Sequence, residues 1–118
     1  MPEQLKDIRL LKPVSRATLR KRAKAAKLHH YLEVCRLVDA REHECCRVCG
    51  RHLSEQGFLD RKNHHHIRYR SRGGLDSTQN VVLLCAIDHN HVHNGLLTIT
   101  GNADLQLTFT REGRTWQG

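Results

Sequence analysis

The chain has few aromatic residues and few prolines, and both shortages limit what its core can be. Aromatic residues make up only 4% of the 118 residues, and just two prolines occur. A chain of this length can bury one modest core, so we expect a single domain with an aliphatic core that needs additional stabilisation. A bound metal ion commonly supplies it in small domains.

Long apolar runs are also missing. No window of the sequence approaches about 18 uncharged apolar residues, and the N-terminal stretch MPEQLKDIRLLKP lacks the apolar centre of a signal peptide. We therefore expect no membrane partner and a cytoplasmic location. The five cysteines are an odd number. In a reducing compartment, thiols more often bind metals or fill cores than form disulfides.

Positive charge is what the sequence has in excess. Lysine and arginine outnumber aspartate and glutamate by 20 to 12, which gives a formal net charge of +8. This balance favours a polyanionic partner such as nucleic acid. Charge alone also fits a basic protein that has no such partner, because it bears on association rather than on fold.

The composition divides the chain into four stretches of one domain. We expect a flexible arm over residues 1–14, a basic helical region over 15–43, a core rich in cysteine and histidine over 44–96, and a hairpin with a short tail over 97–118. The hairpin is predicted because apolar residues alternate with polar ones on both sides of the turn signal GNAD.

The basic region predicts one long helix or two shorter ones. Ser15 suits the N-cap, and the residues after it run without glycine or proline. Three- and four-residue spacing predicts a buried stripe in the second half, formed by Leu28, Leu32, Cys35 and Val38. A cationic face in the first half fits phosphate contact and a solvated surface about equally well. It consists of Arg16, Arg20, Lys24 and Lys27.

Histidines are concentrated in the third stretch, where six of the ten lie between residues 64 and 93. The letters NVVLLC predict a strand that ends at Cys85, and AIDHNHVHNG predicts a short helix ended by Asn94 and Gly95. On that helix, His89 and His93 are four residues apart and project from one face, where both can bind one metal ion. The pair alone fits a metal site and a chance spacing about equally.

The rest of such a site can come from the triplet at residues 64–66, carried by a short strand around residues 65–69. Three imidazoles around a divalent ion leave positions open for water and phosphate oxygens, which is a hydrolytic geometry. An imidazole that binds no metal, with a reference pKa of about 6.5, can accept a proton from water at neutral pH. Neighbouring side chains of a strand point in different directions, so one histidine can bind metal while the next acts as base.

The stretch HHIRYRSRGGLDSTQNVVLLCAIDHNHVHNG resembles the motif of the HNH endonucleases: a histidine pair, a GG loop, an asparagine and a final histidine. His66 matches the first histidine of the family name, Asn80 the asparagine and His89 the last histidine. Fourteen positions separate the first two and nine the last two, which suits the family. The resemblance covers roughly residues 44–96, which would be the HNH core.

The resemblance implies an α+β fold, namely a ββα-metal, treble-clef-like core with an N-terminal helix and a C-terminal β-hairpin. It implies that His66 is the general base and that Asn80 holds the base-bearing loop in register by hydrogen bonding. A divalent ion, Mg²⁺, Mn²⁺, Ni²⁺ or Zn²⁺, would be bound by His65, His89 and His93. The substrate would be DNA, cleaved to 5′-phosphate and 3′-hydroxyl ends without a small-molecule cofactor. His64 would be left exposed or against phosphate.

Three cysteines point to a second metal, because many members of the family bind a structural zinc through two C-x-x-C pairs. This chain has Cys46, Cys49 and Cys85, with Asp88 at the position expected for the fourth ligand. A carboxylate can bind zinc, so a site of three cysteines and one aspartate is admissible. An acid near the start of a helix is also favoured by the helix dipole without any metal. The two remaining cysteines are expected not to be ligands.

Arginines of the GG loop are the other candidates for nucleic-acid contact, together with Arg16, Arg20 and Lys24. Arg68, Arg70 and Arg72 alternate and would share one face of an extended segment, where guanidinium groups suit bidentate contact with phosphate. Gly73 and Gly74 permit tight turning beside a substrate.

Two alternatives to a DNA endonuclease stay open from the sequence. One is a zinc-dependent DNA-binding module without catalysis, which explains the charge and the cysteines but not the separate set of histidines and asparagine. The other is a nuclease that acts on RNA.

Overall fold

The structure is a computed structural model and describes residues 12–118. Most of the predicted arm lies outside the described residues. The described part contains, in chain order, α1 (Arg16–Arg41), β1 (Asn63–His66), β2 (Val81–Leu84), α2 (Ala86–His93), β3 (Thr98–Asn102), β4 (Gln106–Arg111) and β5 (Arg114–Gln117). The strands form two small antiparallel sheets, β1-β2 and β3-β4-β5. This mixed architecture agrees with the predicted α+β class. Within residues 12–118, no helix has the length and apolar character needed to cross a bilayer.

Helix α1 runs unbroken for 26 residues. Ser15 is its N-cap, as predicted, and accepts a hydrogen bond from the Thr18 amide at 3.1 Å. The predicted buried stripe is only partly right. Cys35 and Val38 are buried, whereas Leu28 and Leu32 are both 56% exposed. The stripe fails in its first half because the buried residues of the helix all lie between positions 34 and 38, where α1 packs on the core.

Strand β2 forms the centre of the core, and β1 pairs with it. All four residues of β2 are buried, and they cluster with Val34, Val38 and Leu53. In the antiparallel pairing, His65 lies opposite Val82 and His66 opposite Val81.

The strand predicted around residues 65–69 is wrong in its bounds, because β1 covers Asn63–His66. After Ile67 the chain reverses direction instead of continuing the strand. The Tyr69 carbonyl accepts hydrogen bonds from the amides of Arg72 and Gly74, both at 2.9 Å, and a 3-10 helix spans Arg70–Arg72.

The C-terminal stretch is a three-stranded sheet, so the predicted hairpin with a tail is wrong in part. The residues assigned to the tail form β5, an edge strand that pairs with β4. This strand was missed because its residues are mostly polar and exposed. Trp116 holds it in place by packing on Phe109 of β4, with ring centroids 5.5 Å apart.

The loop between β1 and β2 contains Gly73 and Gly74 and is the GG loop of the motif. It folds back on itself so tightly that position 74 has no room for a side chain. A Cβ atom on Gly74 would lie 1.8 Å from the carbonyl oxygen of Arg68 and 2.8 Å from that of Tyr69. Those oxygens belong to the backbone and cannot move away as a flexible side chain could. Glycine is therefore required here by the close approach of two backbone segments.

Gly74→Ala should consequently lower the free energy of unfolding by about 2 kcal/mol or more, because the backbone must shift to relieve the overlap. Urea denaturation measures the effect. Gly57→Ala is the matched control, since a Cβ at Gly57 would meet nothing within 4 Å. Equal unfolding midpoints for the two variants would contradict this account of the loop.

Candidate metal centre

Three histidines from two elements converge at one point. His65 lies on β1, and His89 and His93 lie one turn apart on α2, directly after the buried strand β2. One nitrogen of each imidazole lies within 4.8 Å of the others. The Nε2 atoms of His89 and His93 are 2.9 Å apart. The fold therefore brings the three predicted ligands together, and their donor set fits a divalent transition metal.

Burial keeps the imidazoles of His65 and His89 neutral. His65 is only 4% exposed, and burial, followed by its neighbours His89, His93 and His66, lowers the pKa of His65 to about 4. Burial and then the proximity of His93 lower the pKa of His89 as well. Neutral imidazole is the form that binds a metal ion, so these two side chains are ready to bind one at neutral pH.

The low pKa of His65 predicts that acid destabilises the metal-free protein. Between pH 6.5, the ordinary pKa, and about 4, the unfolded chain binds more protons at this residue than the folded chain does. Stability should thus fall by about 3 kcal/mol as pH falls through this window. Carboxyl groups with lowered pKa values, such as Asp76, add to the loss of stability mainly at the acid end of this window, below about pH 5.

Urea denaturation of chelator-treated protein between pH 7.5 and 4 tests this prediction. His65→Gln removes the imidazole with the low pKa of about 4 and should make the unfolding free energy depend less steeply on pH in the same window. If wild type and variant lose stability in parallel, the buried imidazole is not the cause.

His66 follows on the same strand but is held by a different set of residues. Its Nε2 atom lies 2.7 Å from Oδ1 of Asp76, and its ring stacks on Tyr31 of α1 with centroids 6.0 Å apart. The same Asp76 oxygen accepts a hydrogen bond from Nε of Arg70 at 2.8 Å. The Arg70 guanidinium in turn lies 4.6 Å from the centre of the Tyr31 ring. The imidazole of His66 is thereby fixed in orientation from two sides.

Asp76 is a charged partner of His66 that the sequence-based prediction missed. The hydrogen bond from Arg70 lowers the pKa of Asp76 most; burial opposes it, and the bond to His66 lowers the pKa further. The net direction is downward, so the carboxylate is ionised at neutral pH. The sequence feature that could have indicated this contact is the presence of an acidic residue in the GG loop, four residues before Asn80. Spacing alone does not say that this acid folds back onto position 66.

The two sets of histidines face one space. His65, His66, His89 and His93 all line an open cavity of about 310 Å³, whose wall also includes Arg70. A phosphate group that reached the three-histidine group would therefore lie beside the His66 ring as well.

Asn80 ties the two ends of the GG loop together. Its side-chain amide donates to the carbonyls of Arg68 at 3.0 Å and Leu75 at 2.9 Å, and its Oδ1 accepts from the Arg68 amide at 2.8 Å. The Asn80 carbonyl also accepts from the Ile67 amide at 2.8 Å. These bonds fix the segment that directly follows His66. Whether cleavage depends on them stays a prediction.

The three arginines of the loop do not share one extended face, so that expectation was wrong. Arg70 and Arg72 lie in the 3-10 helix, because the chain turns after Tyr69. Nε of Arg68 donates to the Arg72 carbonyl at 2.7 Å, while Arg70 is engaged with Asp76. All three remain exposed.

His64 is also placed differently from the expectation of an exposed residue. Its Nε2 atom lies 2.7 Å from Oδ1 of Asp39 on α1, and its side chain is only 18% exposed. The contact joins β1 to α1, which spacing in the sequence could not indicate.

A second group of possible ligands lies at the start of α2. Ligand atoms of Cys46, Cys49, Cys85 and Asp88 all lie within 4.8 Å of one another. The Cys49 and Cys85 sulfurs are 3.8 Å apart. Tetrahedral zinc with Zn–S bonds of about 2.3 Å requires sulfur separations of about 3.8 Å, so the donor set and spacing fit zinc. The remaining two cysteines, Cys35 and Cys45, are not part of this group.

Asp88 is buried yet ionised. It is only 3% exposed, and burial is the largest influence and raises its pKa. Hydrogen bonds from Arg111 first, and then from the thiols of Cys46 and Cys85, outweigh burial and make the net shift downward. Nη2 of Arg111 donates to Oδ1 at 2.5 Å, whereas Oδ2 lies 3.2 Å from the Cys46 and Cys85 sulfurs. One oxygen thus faces the sulfurs and the other anchors β4.

Comparison with known families agrees with the resemblance found in the sequence. Residues 46–95 match the family model described as HNH endonuclease. The prediction of this family is confirmed for that segment, which contains both groups of metal-binding residues as well as His66 and Asn80. No curated protein and no solved structure matched the chain significantly. The family match indicates a nuclease-type or metal-binding function related to nucleic acid, in a family that typically uses a divalent metal.

Proposed function

We propose that the protein is a metal-dependent DNA endonuclease that hydrolyses phosphodiester bonds and leaves 5′-phosphate and 3′-hydroxyl ends. The observation that carries the proposal is the arrangement of four histidines around one cavity. Three of them, His65, His89 and His93, present nitrogens within 4.8 Å of one another. The fourth, His66, is oriented by a carboxylate instead. The family match over residues 46–95 supports the nuclease class.

Three neutral imidazoles would hold the divalent ion, and among Mg²⁺, Mn²⁺, Ni²⁺ and Zn²⁺ this donor set suits Ni²⁺ and Zn²⁺ best. Such an ion would supply positive charge to stabilise the phosphate and the departing 3′ oxygen as negative charge develops. The burial of His65 and the short helix α2 hold the ligands in place before any ion binds.

His66 acts as the general base that takes a proton from the attacking water. Because the ionised Asp76 accepts a hydrogen bond from Nε2, the ring proton resides on Nε2 and the lone pair on Nδ1 is available to accept a proton from water. Asp76 also stabilises the imidazolium that forms when the proton arrives. The stacked Tyr31 ring restricts rotation of the imidazole, and Asn80 holds the adjoining loop in register.

The other predicted residues have supporting roles in this proposal. Arg68 and Arg72 are exposed and contact phosphate, whereas Arg70 mainly positions Asp76. Arg16, Arg20 and Lys24 contact the phosphate backbone from α1. The group of Cys46, Cys49, Cys85 and Asp88 would hold a structural zinc, which would fix the start of α2 and hence the position of His89.

A plasmid-nicking assay with a panel of the four ions tests the proposal. Conversion of supercoiled plasmid to open-circular form with at least one ion is the expected result. If every ion leaves both the plasmid and single-stranded DNA intact while the protein binds one zinc tightly, the non-catalytic DNA-binding module is the better description. Parallel assays on RNA of equal length distinguish a ribonuclease, which would cut RNA in preference to DNA.

A further inference from the structure

The N-terminal part of α1 buries none of its residues, although Nε2 of His30, near its end, lies 2.8 Å from the carbonyl oxygen of Asp76. We call residues 16–30 the overhang. Every residue of the overhang is exposed, and the buried residues of the helix occur only further on. A helical segment of about 15 residues without packing is marginal in water, because helices in proteins are stabilised mainly by a buried face.

The overhang is also strongly and uniformly positive. It contains six lysines and arginines, and no acidic residue occurs between positions 16 and 32. Like charges four residues apart, as at Arg16 and Arg20 and again at Arg20 and Lys24, destabilise a helix by about 0.2–0.5 kcal/mol per pair. A polyanion that neutralised these charges would stabilise the segment.

Four of these cations continue the face by which the helix packs on the core. The spacing along the face is always three or four residues, so the side chains project in one direction. The face runs through Arg16, Arg20, Lys24, Lys27, Tyr31, Val34 and Val38. Val34 and Val38 are buried in the core, and Tyr31 stacks on His66. The cationic part thus begins one turn beyond the residue that touches the proposed base.

The space under this face leads to the histidine cavity. Lys24, Lys27 and Tyr31 line a groove of about 1060 Å³ between α1 and the GG loop. Arg70 lines both this groove and the cavity that holds His66. A phosphate backbone could therefore run from the cavity along the overhang and pass Arg70, Lys27 and Lys24.

We propose that the overhang binds the phosphate backbone of duplex DNA on one side only of the cleaved bond. At about 1.5 Å per residue, Arg16 lies about 22 Å beyond Tyr31, which corresponds to about six phosphates of one strand at 3.4 Å each. A row of cations along one face of a helix suits a stiff duplex, because a flexible single strand would first have to be ordered. The proposal that the overhang binds DNA does not depend on catalysis. Its position relative to the cleaved bond, however, rests on the proposed function.

Two variants of equal charge and composition test the binding surface. Arg20→Gln with Lys24→Gln removes two cations from the face, and Lys21→Gln with Arg22→Gln removes two that project away from it. Glutamine has a helix propensity similar to that of lysine and arginine, and circular dichroism checks that the helix is kept. Binding of a dye-labelled 30-base-pair DNA duplex is followed by fluorescence anisotropy at several salt concentrations, in a His66→Ala background that prevents cleavage.

The Arg20 and Lys24 substitutions should make the slope of log K against log salt concentration less steep by about 2. They should also weaken the affinity near 0.1 M salt by at least about tenfold. The second pair should change the slope by less than 1. Equal losses from both pairs would mean diffuse attraction without a defined surface and would overturn the proposal. The proposal would also be overturned if the Arg20 and Lys24 substitutions weakened the binding of duplex RNA but left the binding of duplex DNA unchanged.

The one-sided placement is tested separately with the active protein. On end-labelled duplexes, cuts should be missing from about six base pairs at one end of each strand, always with the same 5′ or 3′ polarity. The variant with Arg20→Gln and Lys24→Gln should cut closer to that end than the wild type does. Exclusion that is symmetrical at both ends overturns the one-sided placement. If no ion supports cleavage but the face still binds duplex DNA, the proposed function fails and the binding surface stands.

Discussion

His66→Ala should slow phosphodiester cleavage by about 10²–10⁴-fold, the usual contribution of a general base. The reason lies in the divided roles of two adjacent histidines. His65 points to the three-histidine group, whereas His66 is bonded to Asp76 and stacked on Tyr31. Removing the second imidazole should leave the first group able to bind its ion. The rate of plasmid nicking and the metal content of the purified variant measure the two effects separately.

His29→Ala is the matched control for this experiment. His29 is an exposed histidine on α1 and projects from the side of the helix opposite the cationic face, so its loss should leave the cleavage rate nearly unchanged. A His66→Ala protein that folds, binds metal and cuts as fast as wild type would remove the proposed mechanism. Loss of metal together with cleavage would instead place His66 among the ligands.

His89→Ala should lose the ion of the histidine group and the cleavage activity together. The imidazole of His89 is 2.9 Å from that of His93 and contributes one of three donors. Even residues that only support metal ligands change affinity by about 10–100-fold, so loss of a ligand should exceed about 100-fold. Calorimetric titration with Ni²⁺ or Zn²⁺ measures the affinity, and the metal bound per chain should fall by one.

His91→Ala is the control on the same helix. His91 points away from the other two histidines, and its Nδ1 lies 3.3 Å from Arg111. Its replacement should keep the metal affinity of the histidine group and most of the cleavage activity. Equal loss of affinity in the two variants would show that damage to α2, and not removal of a ligand, explains the result.

The sequence predicted the parts of the site that depend on local spacing. His89 and His93 could be placed on one helix face because the helical repeat relates positions four apart. The N-cap at Ser15 and the helix end at Asn94 follow from residue types whose preferences act within a few residues.

Features that depend on long-range packing could not be predicted in the same way. Asp76 reaches His66 only because the GG loop reverses, and Arg111 reaches Asp88 from a different sheet. The exposure of Leu28 shows the same limit, because periodicity indicates which face of a helix is apolar but not how far the core extends beneath it.

One short helix serves both groups of ligands. Asp88 and His89 are neighbours on α2, which is only eight residues long, and they face different groups of donors. Any rotation of this helix that frees the carboxylate from the sulfurs must also swing the adjacent imidazole. Occupancy of the two ion sites should accordingly be cooperative, and protein prepared with too little zinc should show a deficit in its hydrolytic ion as well.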